Sequence, residues 1–536
     1  MPSPEALAWF ARGEEASSRG DQQEAARAFR EALAAAPTFP EASNNLGNAL
    51  MMTGSIREAL GAYLEADRPD AWINGSVAAR ALGELDLARE LLERALGREP
   101  EHPLALASLG NLLKDLGRVD LALGCYRAAL ALDPGNAVIR GILAYMCTFD
   151  PAQGPDAILF ENREFDRLHA AGLREPAAPR KPGSRLRIGY VSPDFRYHCQ
   201  AFFTLPLFAH HDREAFEIFL YASVHQPDAV TAHLRGLCDA WRDCAGLGDG
   251  ELADLVREDG IDILVDLTMH MAGGRPLLFA RHPAPVQVAW LAYPGTTGLS
   301  AMDYRLTDPY LDPPGVHDAW YAETSVHLPN TFWCYHPLAE GPAVGPLPAL
   351  SRGHVTFGCL NNFCKVNPGV LALWNRVLEA VPGSRLLLMA NPGRHRQTVL
   401  EAFSDPSQVT FTPFLPREDY LALYGGLDLC LDTCPYNGHT TSLDAMWMGV
   451  PVVTRVGDTV VGRAGWSQLQ NLDLPGLAAF DDDSFVAIAV DLAGDLPRLA
   501  ELRTGLRSRM EASPLMDAPR FARDLEAAYR KMAARI

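Results

Sequence analysis

A run of polar residues, Asn437-Gly438-His439-Thr440-Thr441, separates two apolar runs that are each typical of a buried strand. Asn-Gly supplies a turn, but a turn does not require a histidine and two threonines where the next helix begins. The amides of a helix start, together with threonine hydroxyls, suit a phosphate or diphosphate. Asp444, one turn further on, could accept hydrogen bonds from ribose hydroxyls. The alternative is a helix without a ligand, capped by Thr440 or Thr441, with Thr441 and Asp444 near capping-box spacing.

A lysine, Lys365, stands between an apolar run and Pro368 in the segment 358–368. Near the end of a strand, its ammonium group could neutralise a leaving diphosphate, as a metal ion does in other enzymes. The alternative is an ordinary solvated lysine on the surface.

Two histidines follow other apolar runs, and each is a candidate for proton transfer. A neutral imidazole of His198 or His270 could take a proton from a hydroxyl nucleophile or orient it. Asp194 could cap the helix that follows it or face a substrate, and the Gly/Pro turn in 290–298 could bring the backbone close to a sugar. The alternative for each histidine is a packed, hydrogen-bonded loop residue.

Two series of short apolar runs predict the strands that hold these residues. Helical segments separate the runs, which indicates α/β lobes whose parallel sheets are covered on both faces. Ligands of such sheets bind at the carboxyl ends of the strands, so we expect a cleft between two facing, doubly wound lobes. The predicted strands are 186–192, 216–224, 261–267 and 286–293 in the first lobe and 355–360, 385–390, 409–415, 427–433 and 451–457 in the second, with 340–353 as the connection.

Two nucleotide-binding motifs are missing from the sequence. No GxGxxG follows the first strand of either predicted lobe, and no GxxxxGK[ST] occurs. This argues against a dinucleotide-dependent dehydrogenase and a Walker-type nucleotidase.

The first 150 residues repeat a helical pattern. A small residue, an alanine, a large apolar residue and a second alanine recur with a step of 34 residues, or 29 between the second and third units. This is the tetratricopeptide period, and four such units predict an all-α solenoid with a concave face. The 29-residue step should shorten a helix or a turn. The recurring positions are Gly13, Gly47, Ser76 and Gly110; Ala25, Ala59, Ala88 and Ala122; Phe29, Tyr63, Leu92 and Tyr126; and Ala32, Ala66, Ala95 and Ala129.

Asparagines also recur in these units. Asn45 and Asn74 share one place, and Asn48 and Asn111 share another. Paired amide hydrogen bonds could hold the backbone of an extended peptide on the concave face. The alternative is that these residues are ordinary solvated side chains.

Length and composition bound the organisation and the location of the chain. At 536 residues several domains are expected, and we predict repeats over 1–150, a helix and a Pro-rich linker (174–184) over 151–184, and lobes over 185–345 and 346–536. The net charge of −19 argues against nucleic-acid or membrane partners. The N-terminus has no signal-peptide pattern and no apolar run reaches membrane length, which predicts a cytoplasmic protein.

The ten cysteines are scattered and form no Cys-x-x-Cys pair. Buried free thiols in a reducing compartment are the simplest interpretation. Zinc binding is not expected, because the ligand spacing is absent.

Several long motifs, in order, resemble the O-linked N-acetylglucosamine transferase family and its SPINDLY-type O-fucosyltransferase relatives. They are YVSPDFRYH, HPAPVQVAWLAYPGTTG with MDYRLTDP, LNNFCKVNP, and DTCPYNGHTTSLDAMWMGVPVVT. The resemblance runs from about residue 186 to the end, behind tetratricopeptide repeats, and looks like that of a bacterial-type member. It implies a GT-B arrangement of two Rossmann-like lobes. It also implies transfer of a sugar from a nucleotide diphosphate donor to Ser or Thr of proteins, with inversion and without a metal or other cofactor.

The resemblance implies roles for individual residues. Lys365 and His198 match family residues at the reaction centre, Lys365 as the one that stabilises the departing diphosphate. Six further residues are expected to contact the sugar or the acceptor through their backbone or their side chains: Asp194, His270, Leu291, Ala292, Pro294 and Gly295. Donor-binding positions are Asn362 near the phosphates, Leu415, Arg417 and Tyr420 near the ribose and base, His439, Thr440 and Thr441 at the phosphates, and Asp444 at the ribose.

Departures from the family pattern leave the donor open. The family has a lysine and a uracil-stacking histidine where this chain has Arg417 and Tyr420. UDP-GlcNAc is the favoured donor, with GDP-fucose or another nucleotide sugar, such as one used on flagellin, as the alternative. The chain could also be a non-catalytic repeat scaffold with a nucleotide-binding lobe pair, or a transferase that acts on a small molecule or glycan. The oligomeric state stays open, and a homo-oligomer is one possibility.

Overall fold

The computed structural model of the chain describes residues 2–176, 185–338 and 341–534. The predicted linker lies largely outside the described residues, as does residue 340 of the predicted connection. The chain forms two compact units. One comprises Met1–Ile139, Ala390–Glu401 and Phe411–Pro413, and the other comprises Arg140–Met389, Ala402–Thr410 and Phe414–Ile536. The predicted domain boundaries at 150, 184 and 345 stay predictions.

Paired helices fill the first unit between residues 4 and 132. Proline occupies the first position of the leading helix of each pair, where its missing N–H has no partner to lose. Helix α4 has 10 residues and the second helix of the other pairs has 14, so the 29-residue step shortens a helix, as predicted. The helices are α1 (Pro4–Ser18), α2 (Gln22–Ala35), α3 (Pro40–Met52), α4 (Ile56–Glu65), α5 (Pro69–Ala81), α6 (Leu85–Arg98), α7 (Pro103–Asp115) and α8 (Val119–Leu132).

The recurring small residues let the two helices of a pair approach closely. A Cβ atom at Gly110 would lie 2.6 Å from the Tyr126 ring, and one at Gly13 would lie 2.5 Å from the Phe29 ring. Both rings are buried and fill the space between the helices of their own pair. The contact explains why a glycine precedes the large residue by sixteen positions in these units.

The asparagines of the repeats bond to one another and to the recurring tyrosines. Asn48 accepts a hydrogen bond from Tyr63 (2.8 Å) and one from Asn74 (3.2 Å), and Asn111 accepts one from Tyr126 (3.0 Å). These amides therefore have defined orientations. Binding of a peptide on the concave face stays a prediction.

Helices and strands alternate in the rest of the chain, after a last helix that follows the repeats, α9 (Ala137–Met146). The further helices are α10 (Pro155–Phe165), α11 (Ala201–His210), α12 (Ala229–Arg235), α13 (Asp249–Asp259), α14 (Pro276–Ala280), α15 (Ala349–Arg352), α16 (Pro368–Ala380), α17 (His395–Leu400), α18 (Arg417–Leu423), α19 (Thr440–Trp447), α20 (Ala464–Asn471), α21 (Asp482–Gly494), α22 (Leu496–Glu511) and α23 (Ala518–Ala533).

The strands form two sheets, one in each lobe. The first lobe contains β1 (Leu186–Ser192), β2 (Phe216–Ala222), β3 (Ala240–Asp243), β4 (Ile263–Asp266), β5 (Val286–Ala289), β6 (Tyr304–Thr307) and β7 (Thr324–His327). The second contains β8 (Thr356–Cys359), β9 (Arg385–Met389), β10 (Val409–Thr412), β11 (Leu429–Leu431), β12 (Val452–Arg455) and β13 (Ala478–Ala479).

Both sheets have the strand order of a doubly wound fold. The order in the first lobe is β3-β2-β1-β4-β5-β6-β7, with every neighbouring pair parallel. The order in the second is β10-β9-β8-β11-β12-β13, and β8 pairs with both β9 and β11 in parallel. The predicted fold class, an all-α repeat region followed by two α/β lobes, is confirmed. In each sheet the chain reverses its direction of winding beside the first strand of the lobe, where ligands of such folds bind.

Buried polar contacts join the two lobes. Asp308 of the first lobe accepts hydrogen bonds from the Ser467 hydroxyl of α20 (2.6 Å) and from the Phe332 amide (2.9 Å). Burial raises the pKa of Asp308, and hydrogen bonds to its carboxylate oppose the shift. The last helix, α23, packs on the first lobe, where Glu526 lies 2.9 Å from Nδ1 of His211.

A search of the described residues for a helix with both the length and the apolar character of a membrane span finds none. The cytoplasmic location stays a prediction.

The close helix contact at Gly110 predicts the effect of a larger side chain. We expect Gly110→Val to lower the apparent Tm of the chain, because overpacking against the Tyr126 ring costs about 1–3 kcal/mol. Gly124→Ala on α8 is the control, since Gly124 is exposed and a Cβ there meets no atom within 4 Å. The control should raise the Tm slightly, and equal Tm values for the two variants would contradict the close contact.

The contact between the lobes predicts a second effect on stability. Ser467→Ala removes one donor from the buried Asp308 carboxylate, which should cost about 1–3 kcal/mol. Ser508→Ala, on the exposed face of α22, should change stability by less than about 0.5 kcal/mol. Both variants are compared with the parent chain by thermal unfolding. The proposed contribution of Ser467 is wrong if its loss matches that of Ser508.

Candidate active site

The turn that opens the site lies between β11 and α19, and a buried carboxylate holds it. Asp432 accepts hydrogen bonds from the amides of Gly438 (2.6 Å) and Thr433 (2.8 Å) and from the Thr454 hydroxyl (2.8 Å). Any side chain at position 438 would collide with the hydroxyl of Ser442. The glycine therefore allows the turn to close onto the start of the helix.

Lys365 lies against this turn, as the sequence predicts. It ends a short 3-10 helix (Phe363–Lys365) after β8, and β8 and β11 are neighbours in the sheet. Its Nζ donates a hydrogen bond to the Asn437 carbonyl (2.7 Å) and lies 4.2 Å from the centre of the Tyr436 ring. Burial lowers the pKa of Lys365. In the part of the chain that the structure describes, no carboxylate forms an ion pair with this ammonium group.

Helix α19 begins at Thr440 beside that ammonium group. His439 occupies the N-cap position and makes no side-chain cap hydrogen bond. The predicted helix cap by Thr440 or Thr441 is wrong, because Thr440 is already the first helical residue. The alternative of a capping box between Thr441 and Asp444 is also wrong, because the Asp444 carboxylate bonds to other side chains. Among the residues that the structure describes, no side chain satisfies the first amides of this helix. They are donors for an anion.

His439 is held in a neutral state by its surroundings. Its ring packs 4.8 Å from the Tyr436 ring and 5.6 Å from the Trp333 ring, and its carbonyl accepts a hydrogen bond from Gln468 (3.1 Å). Burial, and then the charge of Lys365, lowers the pKa of His439 well below its usual value. A neutral imidazole beside the helix start can donate one hydrogen bond without adding charge.

Two aromatic residues that the sequence did not single out cover the other side of Tyr436. The Phe149 ring stacks on it at 4.4 Å with an interplanar angle of 19°. Tyr145, on α9, packs on Phe149 at 5.1 Å and on Tyr293 at 4.8 Å. The segment after the repeats therefore contributes a wall of the site. Its only signal in the sequence is an aromatic pair four residues apart, which is equally typical of a helix core.

Asp444 is buried and fully engaged. Its carboxylate forms a bidentate pair with Arg417 (2.6 Å for each oxygen) and accepts a hydrogen bond from Tyr335 (2.6 Å). Tyr420 lies 3.3 Å from the second oxygen. The predicted neighbours Arg417, Tyr420 and Asp444 thus come together, while Tyr335 comes from the end of the first lobe and was not predicted.

His198 lies on the first lobe, in the turn between β1 and α11. Its Nδ1 is 3.5 Å from the Asp194 carboxylate, a contact that the sequence did not predict. Burial lowers the pKa of His198 and the Asp194 charge opposes that shift. Phe202, four residues further on, lies 4.5 Å from the Arg417 guanidinium, which brings this turn to the donor-side cluster.

The loop after β5 is fixed by two charged residues. Arg305 donates to the Gly295 carbonyl (3.0 Å), and Glu323 accepts from the Thr296 hydroxyl (2.7 Å) and the Thr297 amide (2.6 Å). Leu291 is buried in a left-handed conformation (φ 77°). These bonds anchor residues 295–297, directly after the predicted sugar-side residues Ala292 and Pro294.

His270 is packed rather than open. Nε2 lies 2.7 Å from the Thr297 carbonyl and its ring meets the Phe165 ring edge-on at 4.7 Å. Burial lowers the pKa of His270 to about 4. This geometry matches the alternative of a hydrogen-bonded loop residue, and a contact of His270 with a substrate stays a prediction.

The remaining donor-side residues lie near the strand ends. Asn362 is exposed and its side chain accepts a hydrogen bond from the Cys364 amide (3.3 Å), while Leu415 is half-buried before α18. Among residues 2–176, 185–338 and 341–534, no three His, Cys, Asp or Glu side chains cluster as metal ligands. The roles of Asn362 and Leu415 toward a ligand stay predictions.

Comparisons with known proteins match both parts of the chain. The model of glycosyl transferase family 41 matches residues 161–336 and 348–525, and a tetratricopeptide repeat model matches residues 10–71 and 76–137. A solved structure of a point mutant of the Thermobaculum terrenum O-GlcNAc transferase has a TM-score of 0.84 and 35% identity, covering 99% of this chain and 98% of that one.

Curated relatives are similar over the lobes. The probable UDP-N-acetylglucosamine–peptide N-acetylglucosaminyltransferase SPINDLY is 39% identical over 399 residues in Solanum lycopersicum and over 402 residues in Arabidopsis thaliana. Each match covers 71% of this chain but only 42% and 43% of the relatives, so the chain spans about two fifths of their length. The family match extends over more than half of the chain, and the chain belongs to glycosyl transferase family 41.

Proposed function

We propose that this chain is a protein O-glycosyltransferase that moves a sugar from a nucleotide diphosphate donor to Ser or Thr hydroxyls. The observation that carries the proposal is the Lys365 ammonium group, partly buried without a carboxylate partner beside the uncapped start of α19. A buried cation without an ion pair is costly, and a diphosphate would satisfy both the ammonium and the free amides. The family membership and the O-GlcNAc transferase name of the similar solved structure support the same activity.

The reaction is an in-line displacement with inversion. The acceptor oxygen forms a bond to the anomeric carbon while the bond between that carbon and the diphosphate oxygen breaks, and the electron pair leaves on the diphosphate. Lys365 and the amides at Thr440 and Thr441 neutralise the charge that develops there. The acceptor proton passes to a base, for which His198 is the candidate. No metal ion is needed in this scheme, because the ammonium and the helix start supply the positive charge.

UDP-GlcNAc is the favoured donor. The names of the curated SPINDLY relatives and of the O-GlcNAc transferase neighbour support a GlcNAc donor. Arg417 and Tyr420 stand where the nucleoside would lie, and they differ from the lysine and the histidine of the family pattern. GDP-fucose or another nucleotide sugar is therefore the alternative that a donor panel would reveal.

Acceptor proteins are proposed to bind through the repeats. Tetratricopeptide units expose an extended concave surface, and the asparagines at 45, 48, 74 and 111 recur along them. The proposal places the reaction in the cytoplasm, with Ser or Thr of a bound protein as acceptor. A repeat scaffold that binds no nucleotide would gain nothing from the ammonium group at Lys365, and a scaffold that binds nucleotide without transfer is the alternative that an activity measurement would reveal.

The role of Lys365 predicts a loss of transfer. Lys365→Met should reduce kcat by about 100-fold or more, the effect of removing one group that stabilises a developing anion. The measurement is incubation with UDP-GlcNAc and GDP-fucose, each with a cell lysate, followed by intact-mass analysis of acceptors. Lys531→Met, an exposed lysine on α23, is the control and should keep full turnover. Near-normal turnover of the Lys365 variant would refute the mechanism.

The role of His198 predicts a pH dependence. Because burial lowers its pKa, the basic form persists below the usual imidazole value of about 6.5. The acid limb of kcat/KM should therefore lie below pH 6.5, with activity constant above it. His198→Asn should lower kcat/KM and remove that limb. An unchanged limb in the variant would assign the titration to another group.

A further inference from the structure

The carboxylate of Asp444 has too little free capacity to accept both hydroxyls of a ribose. One oxygen accepts from Arg417 Nη2 and from the Tyr335 hydroxyl, and the other accepts from Arg417 Nη1, with Tyr420 at 3.3 Å. A carboxylate offers about four lone-pair positions. Three of them receive hydrogen bonds and the Tyr420 hydroxyl lies against the fourth, so a ribose diol cannot place both hydroxyls on this carboxylate in the observed arrangement.

The pair is also well protected from solvent. The side chains of Arg417 and Asp444 are 13% and 3% exposed. Bidentate pairs of this kind have strong, directional hydrogen bonds, and removing one partner of a buried pair is costly. The contact is therefore a defined state of the site and not a loose surface ion pair.

Aromatic rings from both lobes hold the guanidinium in place. The Phe202 ring of the first lobe lies 4.5 Å from Cζ and the Tyr420 ring lies 5.6 Å from it. Tyr420 in turn contacts the Tyr424 hydroxyl (2.7 Å), which reaches the Thr441 carbonyl (3.2 Å) in the first turn of α19. The guanidinium thus occupies a slot between two rings, next to the helix start proposed to bind diphosphate.

One atom of Arg417 is not satisfied by this arrangement. Its Nε is buried, and in the described part of the chain it has no hydrogen-bond partner. The ion pair uses the two terminal nitrogens and leaves this donor without an acceptor. A buried donor without a partner destabilises the arrangement, which makes it easier to move the side chain to a position where a ligand oxygen accepts from Nε.

We propose that Arg417 is a latch on Asp444 that the ribose of the donor displaces. The proposal rests on the proposed function and on the expectation from the sequence that Asp444 receives the ribose hydroxyls. Binding exchanges the two Arg417 hydrogen bonds for two from the ribose diol, while Tyr335 keeps its own. The affinity for a nucleoside diphosphate then depends on the competition between the ribose diol and Arg417 for the Asp444 carboxylate. A diphosphate without a ribose leaves Arg417 paired with Asp444.

This exchange makes Arg417 a determinant of selection between ligands with and without a ribose. A ligand that binds only at Lys365 and the helix start leaves the ion pair intact. A ligand with a cis-diol gains Asp444 but must release a bidentate guanidinium. Arginine suits the latch better than lysine, because a lysine ammonium cannot form the two parallel hydrogen bonds of the guanidinium fork.

The test measures two kinds of probe on three chains by titration calorimetry. UDP and GDP carry the ribose, and inorganic pyrophosphate lacks it. In Arg417→Lys the positive charge is kept but the bidentate latch is lost, so we expect the Kd for the nucleoside diphosphate that binds the parent chain to fall at least threefold. The Kd for pyrophosphate should not change. Arg376→Lys weakens an exposed pair with Asp483 elsewhere in the same lobe and should leave every Kd unchanged.

A second variant tests whether Asp444 receives the ribose, which the latch requires; an unchanged advantage of the nucleoside diphosphate over pyrophosphate in this variant would refute the latch. In Asp444→Asn both the latch and the ribose receptor are lost, so the advantage of the nucleoside diphosphate over pyrophosphate should shrink. Thermal unfolding shows first that each variant is folded.

Two further outcomes would overturn the latch. If the parent chain binds a nucleoside diphosphate and Arg417→Lys binds it equally or more weakly, the latch is wrong and the proposed function stands. Equal tightening for pyrophosphate would also refute the exchange, because the effect would not depend on ribose. If neither nucleotide binds the parent chain or the variants, the proposed function fails and the latch fails with it.

Discussion

A partly buried ammonium group without a carboxylate partner is the feature on which the rest of the site depends. Lys365 contacts the Asn437 carbonyl and the face of Tyr436, and the charge of the nearby Asp432 favours its charged form without forming an ion pair with it. The sheet order makes this possible, because β8 and β11 are neighbours and their carboxyl ends deliver the lysine and the turn to the same place. Asp432 and Gly438 then fix the turn, so that the helix begins three residues after the carbonyl that binds the ammonium group. The positive charge is thus prepared before any anion arrives.

The donor side of the site is assembled from both lobes. Asp444 and Arg417 belong to the second lobe, while Tyr335 and Phe202 belong to the first. His198 precedes Phe202 by four residues, so the same turn carries the candidate base and a wall of the donor slot. A change in the distance between the lobes would therefore alter the donor contacts and the position of the base together.

The sequence predicted nine strands from their apolar runs and missed four short ones, β3, β6, β7 and β13. Strand β1 coincides with the predicted run 186–192, whose residues are almost all buried. Strands β3, β7 and β13 lie at sheet edges and are only two to four residues long, and they give no long apolar run. An edge strand pairs with a neighbouring strand on one side only, so fewer of its residues need to be apolar than in a central strand that is covered on both faces.

Site residues near strand ends were predictable, and their partners were not. The positions of Lys365 and His439 follow from the rule that ligands bind at the carboxyl ends of parallel strands. The pairing of Asp444 with Arg417 and Tyr335 joins residues 27 and 109 positions apart, and no local pattern encodes it. The predicted capping box between Thr441 and Asp444 failed for the same reason. The Asp444 carboxylate, one turn into the helix, pairs with Arg417, a cation that only the tertiary fold brings close.

The stacking of Phe149 on Tyr436 has a consequence for how such chains can diversify. The aromatic support of the ammonium group comes from the short segment that follows the last repeat, and Tyr145 and Phe149 both lie after residue 139. Whole repeats can therefore be gained or lost upstream of α9 during evolution without removing a contact from this aromatic wall. Selection could then vary the length of the solenoid for new protein partners while the chemistry is inherited unchanged.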